Sequence, residues 1–174
     1  MKIVRIVAAS LLVGSLAFAR SEKRLELSAP NFNVTAEVTP RTITSPELQL
    51  DLSQAAVRGQ AYGQPVDLKV AGTRIQGSTG KGPVDLRLQK EPESVAANGT
   101  FGGKPSHLTL SPEELIGNVG ACSYDLIAHD KHEYIGWRAC GDRRESPVKL
   151  IIPETLDRAP EAQRIAALSV LLSK

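Results

Sequence analysis

The sequence predicts a mainly β protein: an antiparallel up-and-down meander of about ten short strands, closed as a barrel or folded as a sandwich, with a C-terminal α-helix. Three observations predict it. A six-residue pattern of alternating apolar and polar residues recurs along the middle of the chain. Glycines stand in a fixed phase with that pattern. The last segment then changes from a period of two to a helical period.

The first segment reads as a signal peptide over residues 1–19, followed by one β domain over 20–174. Lys2 and Arg5 form a short positive region, Ile6 to Leu16 is apolar, and Ala17-Phe18-Ala19 offers small residues at a cleavage site. Cleavage after Ala19 leaves 174 minus 19, that is 155, residues, enough for one substantial core. The leader carries two of the 21 basic residues and no acidic one, so 19 basic residues then balance 19 acidic ones. A neutral domain lacks the field that phosphate backbones require, which argues against nucleic acid as a partner. No apolar run reaches the roughly 18 to 20 residues of a spanning helix, so no integral helical membrane span is expected. The expected location is the periplasm or the exterior.

Strands begin at Asn33–Val38 and Thr42–Leu52. The repeat then occupies residues 45–152. Its clearest copies are Pro65-Val66-Asp67-Leu68-Lys69-Val70 and Pro83-Val84-Asp85-Leu86-Arg87-Leu88. Looser copies start at Pro105, Ser123 and Pro147, and a worn one at Ser45. Gly59, Gly77, Gly99, Gly117 and Gly141 each stand six positions before a copy. Val66, Leu68 and Val70 alternate with Asp67 and Lys69, which describes a strand with one wet and one buried side. Glycines suit the turns and bulges between such strands. Ala71-Gly72 reads as a two-residue turn, pairing Val70 with Thr73 and Leu68 with Ile75. A solenoid of parallel coils is the alternative, but turns every eight to twelve residues or so favour the meander. Only 4% of residues are aromatic, too few for the girdles of an outer-membrane barrel.

Cys122 and Cys140, the only cysteines, flank the fourth hairpin. An exported chain meets oxidising conditions, and the two lie within one residue of directly opposite, so a disulfide is expected, with a bulge near Gly136 to align them. A redox-active pair is the alternative, without the usual C-x-x-C spacing. Tyr124 and Trp137 are expected to face each other as a local core cluster.

The tip of that hairpin reads His129-Asp130-Lys131-His132-Glu133. Imidazole and carboxylate ligands at His129, Asp130 and His132 make a weak candidate metal site; a solvated turn is the plainer reading. No G-x-S-x-G and no H-E-x-x-H occurs, and no catalytic residue or cofactor is predicted. The outward Asp67, Asp85 and Asp125 read as a solvated row neutralised by Lys69, Arg87 and Lys149.

The tail, residues 160–173, places Ala162, Ile165, Ala166, Ser169 and Leu172 at helical spacing, with Pro160 able to open the helix. It is expected to cover an open end or edge of the sheet. Docking to a partner or membrane surface is the alternative.

Repetition without a convergent reactive cluster points to an exported, non-catalytic structural or protein-interaction domain. Two other readings stand beside it. One is a carrier of a small apolar ligand in a barrel lined by Val66, Leu68, Val84, Leu86, Leu108, Tyr124 and Leu126. The other is a metal-assisted enzyme at the His129–His132 turn. A protease inhibitor presenting that tip is a lesser option.

Overall fold

A computed structural model describes residues 24–174; the expected leader, residues 1–19, lies outside the described residues. Alternating side chains give fourteen antiparallel strands. They are β1 (Arg24–Ala29), β2 (Phe32–Val38), β3 (Thr42–Thr44), β4 (Leu48–Ser53), β5 (Ala56–Ala61), β6 (Gln64–Ala71) and β7 (Arg74–Thr79). There follow β8 (Gly82–Lys90), β9 (Val95–Phe101), β10 (Lys104–Leu110), β11 (Glu114–Val119), β12 (Cys122–Asp130), β13 (Glu133–Cys140) and β14 (Arg143–Ile151). Every strand pairs with its neighbour in sequence, and β1 pairs with β14, closing a barrel. At the seam Leu27 lies opposite Leu150, and Lys149 Nζ stands 2.9 Å from Glu26 Oε1.

The strand count exceeds the expected ten. Thr42–Leu52 is two strands, not one, split at Ser45–Glu47, and β1 was not foreseen. Leu25 and Leu27 are its only fully buried apolar residues, too short an alternation to stand out. The faces of the repeated sextets are as expected. Val66, Leu68, Val84, Leu86, Leu108, Tyr124, Leu126 and Val148 are buried, while Asp67, Lys69 and Arg87 face out. A charged exterior over an apolar interior is the inverse of a lipid-facing barrel. Asp67 and Asp85 are neutralised by Arg58 and Arg74 on adjacent strands, each at 2.8 Å, rather than by the cations of their own repeat.

Register departs from the expectation by two residues. The β6–β7 turn is Gly72-Thr73, so Ala71 pairs with Arg74 and Val70 with Ile75. An even slip keeps each side chain on its face. It also sets Leu68 opposite Gly77. The same Leu–Gly pairing recurs at Leu50–Gly59, Leu86–Gly99, Leu108–Gly117 and Leu126–Gly136. At Gly77 (φ +149°) a Cβ would stand 2.0 Å from the Asp67 carbonyl oxygen. Glycine there lets two backbones approach closely and curls the sheet. Four of the five phased glycines are therefore mid-strand kinks; Gly141 instead sits in the β13–β14 turn, and Gly136 takes the fifth kink.

Cys122 lies directly opposite Cys140, with their Sγ atoms 2.06 Å apart. The aligning register shift falls between Ala128 and Asp130, not at Gly136, and Lys131-His132 forms the turn. One consequence overturns the expected aromatic cluster. Tyr124 pairs with Arg138 and points inward, whereas Trp137 pairs with Asp125 on the opposite face, with the Arg144 guanidinium 4.2 Å from its ring. A slip of one residue exchanges the faces of a whole strand.

After β14 come a short helix, α1 (Glu154–Asp157), and α2 (Glu161–Leu172). The expectation that the tail covers an open end or edge fails, because the closed barrel has no edge. Instead α2 is buried on all sides: Ala162, Gln163 and every residue from Ile165 to Leu172 are inaccessible. It packs on β4, β5, β6, β7 and β9 and belongs to the same core as the inward strand residues. Eight strands or so can be filled by side chains alone; fourteen leave a lumen, and α2 fills it. The wall caps the helix end. Tyr62 Oη donates to the Leu171 carbonyl (2.7 Å), Tyr124 Oη to that of Leu172 (2.6 Å), and Lys81 Nζ to that of Ser173. Terminal helix carbonyls lack partners within the helix, so a buried end requires such donors. Burial pushes the pKa of both tyrosines up, keeping the hydroxyls protonated as donors.

Candidate functional site

With the lumen filled, clefts open at the two barrel mouths. At one mouth the β8–β9, β10–β11 and β12–β13 turns stand around the start of α2 and enclose a cleft of about 800 Å³. Local chemistry shapes these turns. Ser111 Oγ accepts from the backbone N–H groups of Glu113 (3.1 Å) and Glu114 (3.0 Å), fixing the Ser-Pro-Glu turn. Glu91 N–H donates to the Ser94 carbonyl at 2.9 Å. The carboxylates of Glu91, Glu93, Glu113, Asp130, Asp157 and Glu161 line the cleft against the cations Lys90, Lys131 and Arg164. The mouth is acidic, although Glu161 lies 3.2 Å from Lys90 Nζ.

His129, Asp130 and His132 all line this cleft but do not converge. His129 is exposed on β12, and Asp130 Oδ1 accepts from the Lys131 N–H at 2.7 Å. His132 adopts a left-handed backbone (φ +66°) and turns its Nδ1 to 3.7 Å from Asp157 Oδ2. Its Nε2 is buried and has no partner. Arg164 Nη1 donates to the same Asp157, at 2.6 Å to Oδ1 and 3.0 Å to the carbonyl. Among the described residues no group of three or more His, Cys, Asp or Glu stands close enough to hold a metal. Asp157 and Arg164 carry no signal in the sequence. The approach of Asp157, at the end of α1, to His132 and the ion pair it makes with Arg164 of α2 bring the two to the cleft. Tyr134, on β13, also lines the cleft; its hydroxyl donates to the Ser111 carbonyl at 2.9 Å.

The opposite mouth carries the disulfide. A cleft of about 760 Å³ opens between Asn31, Phe32, Arg138, Cys140, Asp142, Arg143, Glu145 and Lys174. Its centre is a buried ion pair: Arg138 Nε stands 2.5 Å from Glu145 Oε2, and the two side chains are 8% and 5% exposed. Asn31 Nδ2 donates to Glu145 Oε1 at 2.8 Å. The Asn31 amide, reinforced by Arg138, holds the Glu145 carboxyl below the usual carboxylate range.

A carboxyl whose pKa is lower folded than unfolded stabilises the fold fully above the unfolded pKa. That contribution fades as pH falls through the folded value. Glu145→Gln is therefore expected to lower the denaturation midpoint at pH 7 and to shrink the difference between pH 7 and pH 3. Urea titrations at both pH values measure it, and an undiminished acid sensitivity would assign the effect to another group.

No family model, curated protein or solved structure matches this chain.

Proposed function

We propose that this chain is an exported, non-catalytic structural or protein-interaction domain that meets a partner through its acidic mouth. The observation that carries the reading is the filled lumen. The barrel's one sheltered interior is occupied by its own helix, so recognition is left to the rims and the outer wall. Rigid walls with polar turns at their ends are a common arrangement for binding, because the scaffold positions loops without taking part itself. Six carboxylates against three cations would select a basic partner surface and steer its approach.

The carrier reading loses support from the same packing. Val66, Leu68, Val84, Leu86, Leu108, Tyr124 and Leu126 face the lumen, but α2 takes the place a ligand would need. The metal-assisted reading loses support from the separate settings of His129, Asp130 and His132.

The test places a photo-crosslinking residue at Glu93, and in a second chain at exposed Ser78 on the barrel wall, in the exporting cell. A discrete protein adduct is expected from position 93 and not from 78. Glu91→Lys, Glu93→Lys and Glu113→Lys together should remove a partner crosslinked instead from Lys131. Adducts equally strong at both positions, or an apolar molecule retained by the purified protein in native mass spectrometry, would overturn the reading.

A further inference from the structure

We propose that the overhanging part of β2, at the disulfide mouth, takes an extended polypeptide segment as an added antiparallel strand. This is independent of the acidic mouth and of the function argued above.

Every strand of the closed barrel has two neighbours, but two seams are shorter than the strands that form them. β14 pairs with β1 at only three residues, from Lys149 to Ile151. β2 pairs with β3 at only two, Glu37 with Thr44 and Val38 with Ile43, because the chain turns away from β2 after Thr44. Both surplus lengths lie at the disulfide mouth. They are Arg143–Pro147 of β14 and Phe32–Ala36 of β2.

The backbone of the β2 overhang points to open space. Antiparallel neighbours exchange hydrogen bonds at every other residue. The two-residue turn Pro30-Asn31 makes Ala29 and Phe32 the first bonded pair, so Phe32, Val34 and Ala36 bond to β1. Asn33, Thr35 and Glu37 therefore face the other way. Glu37 meets Thr44, whereas the N–H and C=O groups of Asn33 and Thr35 meet no backbone partner among the described residues. Both residues are exposed. Two donors and two acceptors on alternate residues match what a further strand presents.

The two overhangs differ in kind. A free strand edge invites pairing, and proteins that avoid it place proline, charge, a bulge or a cover there. The β14 overhang has all of these. Pro147 has no N–H, Arg143 and Arg144 are charged and exposed, the register shifts between Glu145 and Val148, and the Asn31 amide lies on Glu145 at 2.8 Å. The β2 overhang, Phe-Asn-Val-Thr-Ala, is uncharged, unshifted and free of proline, with strand-favouring Phe32, Val34 and Thr35.

The register also selects the occupant. A second copy of β2, paired about Val34, would set its Phe32 opposite Ala36, where Ser45 opens the β3–β4 turn. A segment that starts opposite Thr35 and continues the line of β3 meets no such obstacle.

The test titrates acetyl-Thr-Val-Thr-Val-Lys amide into the processed protein at pH 7 and reads amide shifts and hydrogen exchange by NMR. The peptide's threonines lie opposite Thr35 and Asn33, and its valines opposite Val34 and Phe32. In the free protein the Asn33 and Thr35 amides should exchange roughly tenfold faster than those of Val34 and Ala36. The peptide is expected to shift both signals saturably and to slow their exchange. N-methylation of its threonines removes the N–H groups aimed at β2 and should weaken binding by roughly tenfold. N-methylation of its valines, whose N–H groups face away, should leave binding within about twofold. Thr35→Pro removes an N–H that bonds nothing in the barrel and should also weaken binding roughly tenfold. Should that variant fail to fold, the methylated peptides decide. Equal loss from the two methylations, no saturable shift at Asn33 and Thr35, or exchange as slow there as at Val34 would overturn the proposal. Exchange that slows with protein concentration alone, together with a doubled mass, would assign the overhang to a second copy and overturn it as well.

Discussion

Leu168→Asp is expected to abolish the cooperatively folded barrel. Leu168 sits in the middle of α2 with no exposed surface, facing a lumen lined by apolar side chains. A carboxylate there meets no partner and no water, and burying an unpaired charge costs several kcal/mol or more. A domain of this size is stable by only about 5 to 15 kcal/mol. The effect reaches beyond one site, because α2 fills the space that fourteen curled strands cannot fill themselves. Leu168→Ala, which merely leaves a void, should cost about 2 to 5 kcal/mol and keep the fold. Near-ultraviolet circular dichroism and urea unfolding distinguish the two. A Leu168→Asp protein that unfolds with the native midpoint would show that α2 does not occupy the lumen.

Gly77→Val is expected to destabilise the barrel by roughly 3 kcal/mol or more. The Cβ would stand 2.0 Å from the Asp67 carbonyl oxygen, 3.0 Å from its carbon and 3.1 Å from Leu68 Cα. These are backbone atoms of the paired strand, and they cannot move aside without breaking ladder hydrogen bonds. The φ of +149° adds strain for any L side chain. Gly72→Ala is the matched control. Gly72 also has positive φ (+57°), but nothing lies within 4 Å of its Cβ position. That substitution should cost only about 1 to 2 kcal/mol, the price of a left-handed turn residue. Equal losses in the two variants would refute the distinction between kink and turn glycines.

The kinks show how far repetition in a sequence can be read. Glycines in phase with the sextets are visible along the chain, but of the five only Gly141 sits in a turn. Most mark a site within the strand where the next strand passes too near for a Cβ. That nearness belongs to a pair of strands, so no single strand's residues announce it. The same reason accounts for the hairpin register. Alternation constrains only odd against even, and a slip of two left Leu68 inside while changing its partner from Ile75 to Gly77.

The candidate sites divide in the same way. The His129–His132 tip was legible because its residues are neighbours in sequence. Asp157 and Arg164 were not, since the folding back of α1 and α2 brings them there. Arg138 and Glu145 gave no signal at all. They are charged residues at inward positions of β13 and β14, where the alternation would place apolar ones, and only their pairing and the Asn31 amide make that burial tolerable.

Local chemistry by itself thus determined which side chains of the repeated sextets face the interior, the order of the hairpins, the partnership of Cys122 with Cys140, and the helical tail. These depend on periods of two and 3.6 and on neighbours a few residues away. Tertiary structure alone decided that the sheet closes, how wide it closes, and that the tail becomes the core. Closure depends on β1 meeting β14 across the whole chain. The width follows from the number of strands, and that width creates a space which only an apolar helix, buried on every side, can fill.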